Sequence, residues 1–201
     1  MSSANSLAVE DLGSAAQRDR RKRILDATIQ LASQGGFDAV QMRAVAERAD
    51  VALGTLYRYF PSKIHLLVSA LQREFERTEI ALRDKPVQGD TTADRVIYVL
   101  KRTTRGMQSD PQLTEALTRA FMFADASVAA EIHQVGMLLT SMLTKAMYPE
   151  GHDEVTEDDV QIARVIGDVW LSALVGWVTG RSTAVETGQQ IEVAVRLLLR
   201  D

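Results

Sequence analysis

From Gln41 to Lys63 the chain reads QMRAVAERADVALGTLYRYFPSK, two apolar stripes separated by a break, each too short to be stable as an isolated helix. Met42, Val45, Ala46 and Ala49 recur at i, i+3, i+4 and i+7, which predicts one buried face of a short helix. Asp50 and Val51 interrupt it. A second short helix then buries Leu56 and Phe60 and turns Gly54, Thr55, Tyr57 and Arg58 the other way, before Pro61 and Ser62 end it. Neither stripe can be covered without walls from elsewhere in the chain. Two such helices around a tight turn, with a small, aromatic and basic open face, form the pattern of a DNA-binding helix-turn-helix.

The outward residue types suit a duplex. Gly54 allows close approach of the backbone, Thr55, Tyr57 and Tyr59 offer hydroxyls to phosphates or base edges, and Arg58 can fork onto guanine or phosphate. Arg43 and Lys63 would hold flanking phosphates. Gln41, at the start of the first motif helix, and Leu53, at the rim between core and groove, complete the candidate DNA-binding residues. The alternative is a solvated helical hairpin whose aromatics are half buried against a neighbour.

The motif resembles the operator-binding signature of the TetR family of bacterial one-component repressors: an apolar helix, a short turn, G-T-L-Y-x-Y-F, then Ser-Lys opening the next helix. Gly54 to Phe60 and Ser62-Lys63 match it as written. RKRILDATIQLASQGG before it, LVSALQREF after it, and LTEALTRAFMFADASVAAEI and ARVIGDVWLSALVGW downstream are similar to the members that repress cholesterol and steroid catabolism in actinobacteria. Two positions depart from the broad pattern. Gln41 stands where Ser or Thr caps the first motif helix, and His65 where an acid completes the cap after Ser62, each weakening a cap by about 1 kcal/mol or less.

The charge distribution agrees with a polyanion partner although the net charge is -4. Ser14 to Lys63 holds nine Lys or Arg against five Asp or Glu, and Ile64 to Asp201 fourteen against twenty, a +4 head on a -6 body. The Arg18, Arg20, Arg21, Lys22 and Arg23 cluster lies near the start of the first helix, where the dipole disfavours cations. Phosphate contact is the more economical role, a plain solvated face the alternative. No cysteine is present, which excludes disulfides and thiolate metal sites and fits a reducing cytosol. Neither an apolar run of membrane-spanning length nor a leader pattern is found, so a cytoplasmic, nucleoid-associated bacterial protein is expected.

Met1 to Gly13, small and polar without period, reads as a disordered arm. Residues 14–62 form the helix-turn-helix domain, its first helix opened by Ser14 with Gln17 and stopped at Gly35-Gly36. Residues 63–201 form the ligand-binding and dimerisation domain. There a rod from Ser62 to about Arg83 joins head to body, where a tilt at its far end would displace the motif. A linker follows from Asp84 to Asp90. Helices are then opened by Thr91 with Asp94, by Asp110-Pro111, after Asp125, by Thr156 with Asp159, and by Thr187 with Gln190; the one after Asp125 ends near Met147, ahead of Pro149 and Gly151. No alternating strand pattern occurs, and the class is all-α with about nine helices.

The two final helices carry more apolar surface than one neighbour can cover. This predicts a two-fold four-helix interface through Trp177, Val178, Ile191, Ala194, Val195 and Leu198, the homodimer that the resemblance also implies and that half-sites about 34 Å apart require. Met107, Leu113, Leu117, Phe121, Met122, Phe123, Met137, Met142 and Trp170 are candidate walls of an apolar pocket; each taken singly is more often plain core. The resemblance implies that the effector is a sterol-derived acyl-CoA, with Lys101, Arg102 and Arg105 the basic candidates for its phosphates by charge alone. No catalytic or phosphate-loop motif is present. His65, His133 and His152 are too scattered for a metal site, and no cofactor is expected. Two readings stand: a repressor binding a palindromic operator and released by a hydrophobic effector, of this or another kind, or an all-α small-molecule carrier or enzyme.

Overall fold

The computed structural model describes residues 3–83, 86–148 and 155–200, with side chains from Ala15 onward. The order is α1 (Ser3–Ala39), α2 (Met42–Arg48), α3 (Leu53–Tyr59), α4 (Lys63–Arg83), α5 (Thr92–Gln108), α6 (Pro111–Met122), a 3-10 turn (Ala126–Val128), α7 (Ala129–Met147), α8 (Glu157–Val178) and α9 (Ala184–Leu198). No strand occurs among the described residues, as the all-helical periodicity predicts.

The helix starts follow side-chain chemistry. Thr91 with Asp94 and Thr156 with Asp159 form reciprocal capping boxes at α5 and α8, and Asp110 caps α6 ahead of Pro111. Two starts differ from expectation. α9 opens at Thr183, boxed with Glu186; Thr187 lies inside the helix, buried, and donates to the Thr183 carbonyl at 2.9 Å. Two consecutive T-x-x-E/Q patterns compete there, and the one with a carboxylate at the positive helix end prevails. α1 runs through Ser14 and takes in residues 3–13, expected as a disordered arm; Ala, Leu and Glu in that segment favour continuing a helix already formed. The break at Gly35-Gly36 is present, with Gly36 at φ 63°. Asp84, Pro149, Gly151 and His152 lie outside the described residues.

At α2 the Gln41 side chain makes no capping bond, as expected. At α4 the cap survives in altered form: the His65 N–H donates to Ser62 Oγ at 3.3 Å, and Ser62 Oγ lies 2.9 Å from His65 Nδ1. His65 Nε2 is 3.1 Å from the Ser127 carbonyl, so the Nε2–H tautomer satisfies both ends and ties α4 to the 3-10 turn. Histidine therefore replaces the missing acid.

One core runs through both halves, from Ile24, Val45 and Leu56 in the head to Leu100, Leu143 and Ile166 in the body. α1 makes its widest contact with α6, and α4 packs on α1, α6 and α7. By length and composition α8 could cross a membrane, but Arg164 and Asp168 interrupt it and it packs between α7 and α9.

Candidate nucleic-acid interface and effector chamber

The turn between α2 and α3 is closed by backbone geometry. Val51 N–H donates to the Ala46 carbonyl at 3.0 Å and Asp50 N–H to that of Glu47 at 3.3 Å, with Asp50 left-handed at φ 51°. Arg23 of α1 reaches across, its Nη1 donating to the Ala49 carbonyl at 2.6 Å and the Asp50 carbonyl at 3.3 Å. This places a cation at the negative end of α2 and satisfies carbonyls the helix leaves unpaired. Part of the basic cluster is thus structural. Lys22 pairs with Asp26, which also takes Arg73 of α4, and Arg21 lies over the Phe60 ring at 5.6 Å.

On α3, Leu56 and Phe60 are buried as expected, while Gly54, Tyr57 and Arg58 are exposed and Thr55 is half-buried. A Cβ at Gly54 would meet nothing within 4 Å, so no internal contact demands glycine there and the open surface is available to a duplex. Gln41 and Arg43 are exposed on α2's leading edge. Leu53 and Tyr59 are half-buried against the core, Tyr59 beside Phe60 with ring centroids 6.4 Å apart. Lys63 has a second occupation: its Nζ sits 3.8 Å from the centroid of Phe37, and burial lowers its pKa from the ordinary lysine value.

A chamber of about 360 Å³ lies in the body. Leu71 and Phe75 of α4, Thr118 and Phe121 of α6, and Trp170 and Leu174 of α8 form its inner walls, with Phe75 and Trp170 meeting edge to face at 5.9 Å. Trp170 Nε1 donates to Thr104 Oγ1 at 2.8 Å. The exposed lining residues, His133, Gly136 and Met137 of α7 and Arg164 and Asp168 of α8, place the mouth between those helices.

Of the expected walls, Met107, Phe121, Met137 and Trp170 line this space. Leu117 and Met142 are buried outside it, Leu113 is half-buried, and Met122 and Phe123, the last residue of α6 and its C-cap, are exposed. Leu113 and Leu117 share the stripe that leads to Phe121 but lie further round the helix from Thr118, toward the subunit's own core. Lys101, Arg102 and Arg105 do not line the chamber; Lys101 is held by Glu192 at 2.6 Å, and the cation at the mouth is Arg164. Sequence reasoning missed Thr118, Thr140, His133, Arg164 and Asp168, whose one signal was polarity within otherwise apolar helix faces.

On the last two helices Ile191 and Val195 are 2 % and 0 % exposed within a single subunit, with no surface left for a partner. Trp177, Val178 and Ala194 are half-buried and Leu198 is exposed. The exposed large apolar side chains of these two helices are Val165 on α8 and Val185, Val193, Leu197 and Leu198 on α9. Among the described residues no group of His, Asp or Glu could hold a metal ion.

The profile of bacterial regulatory proteins of the tetR family matches residues 24–70, and that of the tetracyclin repressor-like C-terminal domain residues 89–198. The chain is 60 % identical over 198 residues to the HTH-type transcriptional repressor KstR of Rhodococcus jostii, covering 98 % of this chain and 91 % of that protein. The chain belongs to the TetR family of transcriptional repressors. KstR of Mycobacterium tuberculosis is 56 % identical over 195 residues, covering 97 % of this chain and 87 % of that one. Among solved structures, a TetR transcriptional regulator from Rhodococcus sp. RHA1 superposes with a TM-score of 0.84 at 32 % identity, over 92 % of this chain and 98 % of the other. FadR of Thermus thermophilus, a TetR-family transcriptional repressor solved in complex with lauroyl-CoA, shares the fold at TM-score 0.67 and 19 % identity, over 89 % and 93 % of the chains. These relatives are regulators rather than enzymes.

Proposed function

We propose that this TetR-family repressor controls genes of steroid and cholesterol breakdown. As a homodimer in the bacterial cytoplasm it would bind a palindromic operator and leave it when a sterol-derived acyl-CoA enters the body. The observation that carries the reading is the 60 % identity with KstR across nearly the full length of both chains, together with the resemblance of α6–α8 to the steroid-catabolism repressors. The chamber supports it. At about 360 Å³ it is at the lower end of small-ligand sites, enough for a compact apolar body and too small for a CoA moiety as well. The thioester end would remain at the mouth beside Arg164 and His133.

The test is fluorescence anisotropy with duplex DNA from beside the protein's own gene. Nanomolar binding with steep salt dependence, released by a steroid acyl-CoA and unaffected by free CoA, is the expected result. Release by linear fatty acyl-CoA alone would replace the steroid effector with a fatty one. Failure to bind any such duplex would overturn the regulatory assignment.

A further inference from the structure

A threonine in an apolar part of a helix has a ready partner, the carbonyl four residues back, and this chain uses it repeatedly. Thr28 donates to Ile24 O at 2.8 Å, Thr103 to Val99 O at 2.9 Å, Thr144 to Thr140 O at 3.0 Å and Thr187 to Thr183 O at 2.9 Å. Thr114 instead donates to Met107 O at 2.6 Å, and Thr104 accepts from Trp170. Of the buried threonines among the described residues, Thr118 and Thr140 alone have a hydroxyl with no protein partner. These are the two that line the chamber.

Thr118 is 4 % and Thr140 9 % exposed, whereas His133, Arg164 and Asp168 at the mouth are exposed. The threonines therefore belong to the chamber's inner part. Leaving a hydroxyl unpaired in such surroundings costs free energy, and valine has nearly the same shape without that cost. A chamber built for hydrocarbon alone gains nothing from two hydroxyls. Among the described residues the sealed side-chain atoms without a hydrogen bond belong to Arg73 and Gln108, so the threonine oxygens keep accessible surface, and both residues line the chamber.

We infer that Thr118 of α6 and Thr140 of α7 form a hydrogen-bonding pair that reads an oxygen function, carbonyl or hydroxyl, on the buried end of the ligand's apolar body. The inference rests on the effector reading above and deepens it. The selected ligand has two polar ends, a small one held inside and a larger one outside the mouth. Hydroxyls can donate and accept, so the pair suits either a ketone or an alcohol. Thr118 also lies between Glu115 and Arg119, the α6 residues that hold the end of α1, so the bond forms on the helix that touches the DNA-binding head.

The experiment uses the full chain and two steroids of one skeleton, androst-4-ene-3,17-dione and the hydrocarbon 5α-androstane, with binding read by quenching of tryptophan emission. Thr118→Val with Thr140→Val should weaken the diketone on the order of tenfold and leave the hydrocarbon unchanged or tighter. Thr118→Ser with Thr140→Ser, which keeps both hydroxyls, should restore the preference, and matched melting temperatures should show that each variant folds. Equal effects on both steroids, or none, would overturn the threonine pair while leaving the chamber a steroid site. Binding of neither steroid to the unaltered protein would overturn both this inference and the steroid reading.

Discussion

Tyr57 has its side chain 46 % exposed on α3, beside an open Gly54 and an exposed Arg58. Tyr57→Ala should therefore lower operator affinity by about ten- to a hundredfold, the range for losing one good contact, and leave the melting temperature within about a degree. An anisotropy titration beside a thermal melt checks this; a collapsed melt would make the ring a core residue. Arg23 predicts the opposite balance. Its guanidinium secures the Ala49 and Asp50 carbonyls, so Arg23→Ala should cost about 1–2 kcal/mol in denaturant unfolding and also weaken DNA binding through the loosened turn. A phosphate contact alone would leave stability untouched. The sequence showed the basic cluster as charge. It could not show that Arg23 serves a carbonyl pair 26 and 27 residues away, because that bond exists only once α1 and α2 cross. Thr118 and Thr140 were illegible for a related reason: a helical threonine looks alike in sequence whether or not its hydroxyl bonds backward.

α6 has one face on the chamber and another on the head. Thr118 and Phe121 look inward; Glu115 Oε2 accepts the Phe37 N–H at 2.8 Å, Asp110 accepts the Ser33 hydroxyl at 2.5 Å, and Arg119 lies 4.4 Å from the Phe37 centroid. Phe37 is thus held between Arg119 of α6 and Lys63 of α4, immediately after the Gly36 kink, where a Cβ would press within 2.7 Å of Glu115. Two of the helices that wall the chamber, α4 and α6, meet at this ring. Phe37→Ala should reduce the effect of effector on operator affinity by about 1 kcal/mol or more of coupling, with effector binding retained; unchanged coupling would return the transmission to α4 alone. Carboxylates tie other pairs together: Glu79 of α4 holds Lys145 of α7, and Glu192 of α9 holds Lys101 of α5. The Lys145 and Lys101 hydrogen bonds lower the pKa of Glu79 and Glu192 from the ordinary 4.5. A depressed carboxylate stabilises the fold fully above its unfolded pKa and loses that contribution as pH falls through the folded one. Melting temperature should thus be level above about pH 5 and fall below pH 4.5. Glu79→Gln should make that fall smaller and cost about 1 kcal/mol or less at neutral pH; an identical acid profile would show that the pair contributes nothing. Most helix starts could be read from caps, which act over four residues. The start of α9 could not, because Thr183 and Thr187 each offered a plausible box, and the tertiary burial of Thr187 adds to the carboxylate of Glu186 in deciding between them.

At the scale of the whole molecule, helix number and class follow from periodicity, whereas the relation between chamber and head depends on which faces meet. Leu113 and Leu117 looked as suitable as Phe121 for a pocket wall, and Ile191 and Val195 as suitable as Leu198 for an interface. The apolar stripe says that a face is covered and leaves open by what. In the folded subunit Ile191 and Val195 are already covered, and the uncovered apolar side chains of the terminal helix pair include Val165 on α8 and Val193 and Leu197 on α9, the last two 58 % and 57 % exposed. They lie four residues apart on one side of α9. In the proposed homodimer these chains are what a symmetric partner would cover, and they can be altered without opening the subunit's own core. Val193→Glu with Leu197→Glu should leave helix content and melting behaviour close to those of the unaltered chain while halving the mass seen by sedimentation. Each head would then meet its half-site independently, and operator affinity should fall by about a hundredfold or more, since linkage of two weak contacts is what the dimer supplies. A variant that still sediments as a dimer would place the interface elsewhere on α8 and α9. One that becomes monomeric yet binds the full operator undiminished would refute the two-fold reading of the palindrome.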